Sequence, residues 1–212
     1  MLKRLVRNAL QRLDMDIVRL NPEELLLREQ FPGLDYKELQ IIKTLLAPSQ
    51  VSLEEARFLG ALTAGADKTR PILEIGTLFG YSTRIIALSK DPAQPLITVD
   101  NYSWNPLGIS PEIHFKATRG ALAEAIEHFS VTQLKLSKDT FYAEYDQPPP
   151  ALFFCDADHS YEATKADLAW AKRVGADIIC GHDYDPVRHK GVTRAVDEFG
   201  GPKRLVGTLF VI

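Results

Sequence analysis

The spacing of apolar and polar positions changes along the chain, and each change marks an element. In the first twenty residues Leu2, Leu5, Val6, Ala9, Leu10 and Leu13 recur at helical spacing. Lys3, Arg4, Arg7 and Arg12 lie between them, so the segment predicts a basic amphipathic helix. A second helical piece is expected over residues 35–46, stopped by Pro48. From Val51 the rhythm becomes regular. "SLEE" (residues 52–55) is a capping box, in which the Ser52 hydroxyl accepts from the Glu55 N–H and the Glu55 carboxylate reaches back. The helix it opens would bury Leu53, Ala56, Leu59 and Leu62 and end at Gly65. Then "PILEIG" reads as a strand, "YSTRIIALSK" as a helix and "PLITVD" as a strand. A long loop is expected over "NYSWNPLGISPE", followed by a helix in "GALAEAIEHF". "VTQLKLSK" and "ALFFCD" are strands, "YEATKADLAWAKRVG" a helix closed by Gly175, "ADIICGHD" a strand and "GVTRAVDEFG" a helix. "KRLVGTLFVI" is two short β runs joined through Gly207.

Strands that are apolar along their whole length and alternate with helices predict a parallel sheet covered on both faces. No helical crossover precedes the last strand, so that strand should run antiparallel. The expected architecture is α/β and Rossmann-like: one domain over residues 51–212 with an N-terminal helical extension over residues 1–50, a lid or an oligomer contact. A chain of 212 residues with a formal charge of −3 has no basic excess to suggest a nucleic-acid partner. Its two cysteines do not make a disulfide framework, and no apolar run approaches the roughly 20 residues that cross a bilayer. The expectation is a cytoplasmic protein with no integral membrane segment and, given its apolar helical extension, a homo-oligomer.

In open α/β sheets, ligands bind beyond the carboxyl ends of the strands. The first strand ends at Glu74-Ile75-Gly76 and the next helix opens near Gly80, with Thr77, Tyr81 and Ser82 around the turn; a second strand ends at Asp100. Gly76 permits a tight exit, Gly80 a close helix packing or a ligand contact, and Asp100 could accept from both hydroxyls of a ribose. The spacing is E-x-G-x-x-x-G rather than G-x-G-x-x-G. A carboxylate beside that turn opposes a pyrophosphate and suits a cation, which favours S-adenosylmethionine.

"EIGTLFGYST" (residues 74–83) with Asp100 resembles the first two motifs of class I S-adenosylmethionine-dependent methyltransferases. "DADHSYEATKADLAW", "GHDY" and "GVTRAVDEF" are similar to the subgroup of metal-dependent sugar O-methyltransferases and cephalosporin-hydroxylase-like proteins. The resemblance implies a seven-stranded sheet with an antiparallel last strand, Glu74 and Gly76 bordering the methionine part of the cofactor, and Asp100 on its ribose. It also implies an adenine-side loop at "LSKDT", which nominates Ser137 and Asp139.

A second cluster stands on the two following strands. Asp156 ends one, and His182 and Asp183 end the next. If the strands are neighbours, two carboxylates and an imidazole converge on a site for a divalent cation. Oxygen-rich ligation favours Mg²⁺, and the imidazole leaves Mn²⁺ or Fe²⁺ open. The resemblance points to the same three positions, with His182 standing where many members carry a carboxylate. Methyl transfer to oxygen needs the acceptor hydroxyl to lose a proton, and His159 is the candidate base, with Asp156 on the metal and Asp158 orienting the base or binding substrate. Trp104, Asn105 and Pro106 are candidates for a wall of the acceptor pocket, and Arg188, His189 and Lys190 for contacts to an anionic acceptor. The expected activity is O-methylation of a small hydroxylated molecule, a sugar among the candidates. Two acids and a histidine also match an iron-dependent oxygenase by composition, although that chemistry leaves Glu74, Gly76, Gly80 and Asp100 unexplained. A non-catalytic cofactor-binding subunit is the third reading.

Overall fold

The computed structural model describes residues 51–104 and 108–212; the expected helices of the N-terminal extension lie outside them, as do Asn105 and Pro106. Among the described residues the elements run α1 (Leu53–Ala64), β1 (Ile72–Ile75), α2 (Tyr81–Ser89), β2 (Leu96–Asp100), α3 (Pro111–Ala121), α4 (Ala123–His128), β3 (Val131–Lys135), α5 (Lys138–Glu144), β4 (Leu152–Cys155), α6 (Tyr161–Val174), β5 (Ile178–Gly181), α7 (Lys190–Glu198), β6 (Arg204–Val206) and β7 (Leu209–Val211). The seven strands form one sheet in the order β3-β2-β1-β4-β5-β7-β6. β1 to β5 pair in parallel, and β7 is antiparallel to both β5 and β6, the ending expected from the missing crossover.

β1 and β4 are buried at every position, which is why "ILEI" and "LFFC" show no polar alternation. Leu73, Ile75, Phe153, Cys155 and Ile179 share one core cluster with Leu168, Trp170 and Ala171 of α6 and Val192 and Val196 of α7. Trp170 stacks on Tyr142 at 4.2 Å between ring centroids and anchors α5 to α6. Arg70 ties the amino-terminal ends of β1, β4 and β5 together. Its guanidinium donates to the carbonyls of Pro149, Pro150 and Gly175 and pairs with Asp177.

Two stretches differ from the sequence expectation. Part of the "long loop" is helix: Ser110 caps α3 by accepting from the Ile113 N–H, and Pro111 occupies the first turn. "LSKDT" is likewise a helix start rather than a loop, with Ser137 as the N-cap of α5.

Register decides where the chemistry lies. Ile75 pairs with Val99 on one side and Cys155 on the other, and Cys155 pairs with Gly181. The next residue on each strand is Asp100, Gly76, Asp156 and His182, so all four stand abreast at the carboxyl edge of the sheet.

Candidate active site

At that edge lies a cavity of about 960 Å³, lined on one side by Gly76, Thr77, Tyr81, Ser82 and Asp100 and on the other by Asp156, Asp158, His159 and His189. Ser137, Lys138 and Asp139 at the start of α5, and Ser103 and Trp104 after β2, complete its wall.

Gly76 has φ +100°, and a Cβ there would fall 1.9 Å from the carbonyl oxygen of Asp156. The β1 and β4 exits touch, and only hydrogen fits between them. Gly80 has φ +81° and caps α2; a Cβ there would meet the Leu122 side chain at 2.8 Å. It allows close packing against the α3–α4 junction and does not line the cavity. Asp100 accepts from two backbone N–H groups, Leu78 at 2.8 Å and Tyr102 at 2.6 Å. Both donors have positive φ, +46° and +57°, so this carboxylate fixes two turns that would otherwise be strained. Glu74 is fully buried behind the turn rather than on the cavity wall. The hydroxyls of Ser82 and Thr83 donate to its two oxygens, and Thr77 pairs with Thr98 beside it. Burial outweighs those hydrogen bonds and raises the Glu74 carboxyl to about 7.

On the other side, Asp156, His182 and Asp183 each offer a ligand atom within 4.8 Å of the others, the convergence that neighbouring strands predict. Asp183 has φ +64°, a conformation that aspartate tolerates better than most residues. His159 Nε2 lies 3.0 Å from Asp183 Oδ2 and 3.5 Å from Asp156 Oδ1. Those contacts raise its imidazole to about 10 despite partial burial. His182 is buried, which disfavours its charge, yet Asp183 and Glu55 still raise it to about 10. Asp183 moves the other way: His159 and His182 hold it below the usual carboxylate range against burial. Asp158 does not reach His159 through a hydrogen bond; its Oδ1 accepts from the Ser160 N–H at 2.8 Å, which lowers its pKa. Ser160 in turn caps α6. The Arg188 N–H is held by Asp185 and its side chain is exposed, whereas His189 turns into the cavity, 3.6 Å from Asp183 Oδ1.

Two residues escaped the sequence reading. Glu55, read as a cap, also reaches His182, with Nε2 3.3 Å from Oε1. His189, read as part of a charge run, joins His159 and Asp183 in a second group with metal-ligand spacing.

A family model described as a methyltransferase domain matches residues 73–184, more than half of the chain and the segment that carries most of the cavity's lining. The chain belongs to the class I S-adenosylmethionine-dependent methyltransferase family. Solved structures share its fold. A cofactor-bound protein from MTB is 24% identical with a TM-score of 0.60, over 86% of this chain and 87% of that one. An O-methyltransferase from Bacillus cereus in complex with SAH is 22% identical with a TM-score of 0.57, over 89% and 93%. The O-methyltransferase TomG from Streptomyces achromogenes, involved in tomaymycin synthesis and in complex with SAM, is 21% identical with a TM-score of 0.55, over 85% and 82%. No curated protein matches. Among the described residues no helix is long and apolar enough to cross a membrane.

Proposed function

We propose that this methyltransferase transfers a methyl group to a hydroxyl oxygen of a small molecule, a sugar among the candidates, with a divalent cation held by Asp156, His182 and Asp183. The observation that supports the reading is the row Asp100–Gly76–Asp156–His182: Asp100, the candidate for the nucleoside, and Asp156, the candidate for the cation, line one cavity, with His182 buried beside Asp156. Its volume, about 960 Å³, is near the upper end for small-molecule sites and leaves room for a donor and an acceptor together.

The cofactor side fits S-adenosylmethionine. Asp100 has lone pairs left for ribose hydroxyls after binding two backbone N–H groups. The turn after Gly76 is backed by a carboxyl rather than by bare amides, so it is no pyrophosphate cradle. Thr77, Tyr81 and Ser82 would border the methionine part, and Ser137 and Asp139 the adenine. The cation side fits as well: His182 Nδ1 is buried, has no hydrogen-bond partner and faces two carboxylates. When bound, the cofactor supplies an electrophilic methyl group and the cation lowers the pKa of a chelated hydroxyl.

The chain's own residues then position and deprotonate. His159 is the candidate base, within reach of both Asp156 and Asp183. As an ion-paired imidazolium it cannot accept a proton; Asp156 and Asp183 would hold the cation, and their charge would then no longer stabilise the imidazolium. Asp158, tied to α6 through Ser160, fixes the segment that carries His159.

Calorimetry with S-adenosylhomocysteine tests the cofactor; no binding at millimolar ligand overturns it. Asp183→Ala should abolish methyl transfer to a panel of sugar and catechol hydroxyls while cofactor affinity changes little. Turnover that persists in that variant, or in chelator, removes the cation from the mechanism.

A second reading rests on the group His159, Asp183 and His189, two imidazoles and one carboxylate, the composition of a non-haem iron site. Membership of the methyltransferase family weighs against it. Stoichiometric iron after anaerobic purification, with no S-adenosylhomocysteine binding, would favour it.

A further inference from the structure

Glu55 and His182 are 127 positions apart, and a third segment, the β6–β7 turn, closes around both. Glu55 Oε2 accepts from the Ser52 N–H at 2.7 Å, the cap expected from the sequence. Its other oxygen does something no capping box requires. Oε1 accepts from the Thr208 N–H at 2.7 Å and from the Thr208 hydroxyl at 3.1 Å. The turn is shaped to leave room for that oxygen. Gly207 has φ +57°, and a Cβ there would lie 2.3 Å from Oε1.

His182 Nε2 is 3.0 Å from the Thr208 hydroxyl oxygen and 3.3 Å from Glu55 Oε1. The Thr208 hydroxyl proton points at the carboxylate, so its lone pairs face the imidazole. Both neighbours of Nε2 therefore accept, and Nε2 must donate. The other ring nitrogen, Nδ1, is left facing the two carboxylates, 3.3 Å from Asp183 Oδ1 and 3.9 Å from Asp156 Oδ2, buried and without a hydrogen-bond partner.

We propose that Glu55 is a positioning residue: through Thr208 it keeps a proton of His182 on Nε2, so that Nδ1 is the nitrogen that exchanges its proton for a cation between Asp156 and Asp183. The centre in consequence selects a borderline transition cation of the Mn²⁺, Fe²⁺, Co²⁺ or Zn²⁺ class over Mg²⁺. This rests on the reading that a cation binds at these residues. A histidine ligand whose second nitrogen donates to a carboxylate is more basic and fixed in orientation. Imidazole nitrogen suits these ions, whereas Mg²⁺ prefers oxygen ligands in a near-ideal octahedron.

The test uses the full chain with Mn²⁺ alone and Mg²⁺ alone, without cofactor or acceptor. Affinities come from calorimetry, and pulsed electron paramagnetic resonance of the Mn²⁺ form reads coupling to imidazole ¹⁴N. The wild type should bind Mn²⁺ at least tenfold more tightly than Mg²⁺, with a ¹⁴N signal that His182→Ala removes. Glu55→Ala should weaken Mn²⁺ binding on the order of 10- to 100-fold and diminish that signal, as loss of an outer carboxylate does elsewhere. Glu55→Gln, whose side-chain carbonyl still accepts, should recover most of both. Because Glu55→Ala also loses a helix cap, Thr208→Val serves as the second variant: it keeps the cap, removes the hydroxyl link, and should lose affinity in the same sense. Equal affinity for the two ions, a ¹⁴N signal that survives His182→Ala, or Mn²⁺ binding indifferent to both Glu55→Ala and Thr208→Val overturns the inference and leaves the O-methyltransferase reading intact. A wild type that binds neither ion removes the cation from both, and S-adenosylhomocysteine binding then reports on the cofactor side separately.

Discussion

Glu74 is where burial and ionisation conflict most openly. Its carboxyl is fully buried, the hydroxyls of Ser82 and Thr83 donate to it, and burial still lifts its pKa from 4.5 to about 7. A folded-state value above the unfolded one means that the folded protein holds this proton more tightly. The resulting stabilisation is complete below about pH 4.5 and is lost as the pH rises through about 7. One pKa unit corresponds to about 1.4 kcal/mol, so the whole effect is about 3 kcal/mol, of which about 2.5 kcal/mol falls between pH 5 and pH 8. Glu74→Gln keeps the shape and removes the titration. Urea unfolding of both proteins at pH 5, 6, 7 and 8 gives a difference in which every other titrating group cancels. That difference, wild type minus variant, should fall by about 2.5 kcal/mol across the range, mostly below pH 7. A difference flat to within about 0.5 kcal/mol refutes the reasoning, because the hydroxyls would then hold the carboxylate charged at no net cost. The same proton bears on function. Above pH 7 a negative charge stands behind the Gly76–Gly80 turn, so the preference for cationic S-adenosylmethionine over neutral S-adenosylhomocysteine should rise with pH in the wild type and stay constant in Glu74→Gln.

Gly76→Ala must move the β1 and β4 exits apart, since its methyl would sit 1.9 Å from the Asp156 carbonyl oxygen at a φ of +100°. It should cost more than about 3 kcal/mol in thermal unfolding and abolish S-adenosylhomocysteine binding measured by calorimetry. Arg70→Ala leaves three carbonyls and Asp177 without their shared donor, and should destabilise by about 2 to 4 kcal/mol in urea unfolding. Arg70→Lys should recover little of it, because a point charge cannot serve that fork.

The strand–helix alternation was legible because β4 and β5 read as uninterrupted apolar runs and β1 is broken only by Glu74. The meeting of Asp156 with His182 and Asp183 followed from that alternation plus the rule that neighbouring strands end together. α3 was not legible by periodicity, for it buries only His114 and Thr118 and carries no apolar stripe. Its signal was local chemistry, a capping serine followed by proline and an acid. α5 is seven residues long and buries only Phe141, too little to stand out. The roles of Glu55 and Glu74 failed for opposite reasons. Glu55 had a complete local explanation in its capping box, which hid a partner 153 positions away. Glu74 was placed beside the cofactor by the resemblance and by its closeness to the turn, whereas the strand's alternation turns it into the core face that α2 covers.

The two sides of the site differ in how their carboxylates are satisfied, and that difference suits the two tasks proposed for them. Asp100 is held by backbone N–H groups of Leu78 and Tyr102, partners that cannot leave without unfolding the turns they belong to. For the nucleoside proposed to bind there, this is a site already formed. Asp156 and Asp183 are instead faced by imidazoles, His159, His182 and His189, at 3.0 to 3.9 Å. Side chains of that kind can rotate or give up a proton, and they exchange readily for an incoming cation. Rigid donors on one side preorganise binding of a ligand that is the same in every turnover. On the proposed reading, exchangeable donors on the other would let an ion and an acceptor hydroxyl share the carboxylates in succession. A chain that used backbone amides at both ends would bind a nucleoside equally well and would leave nothing at the Asp183 end for chemistry.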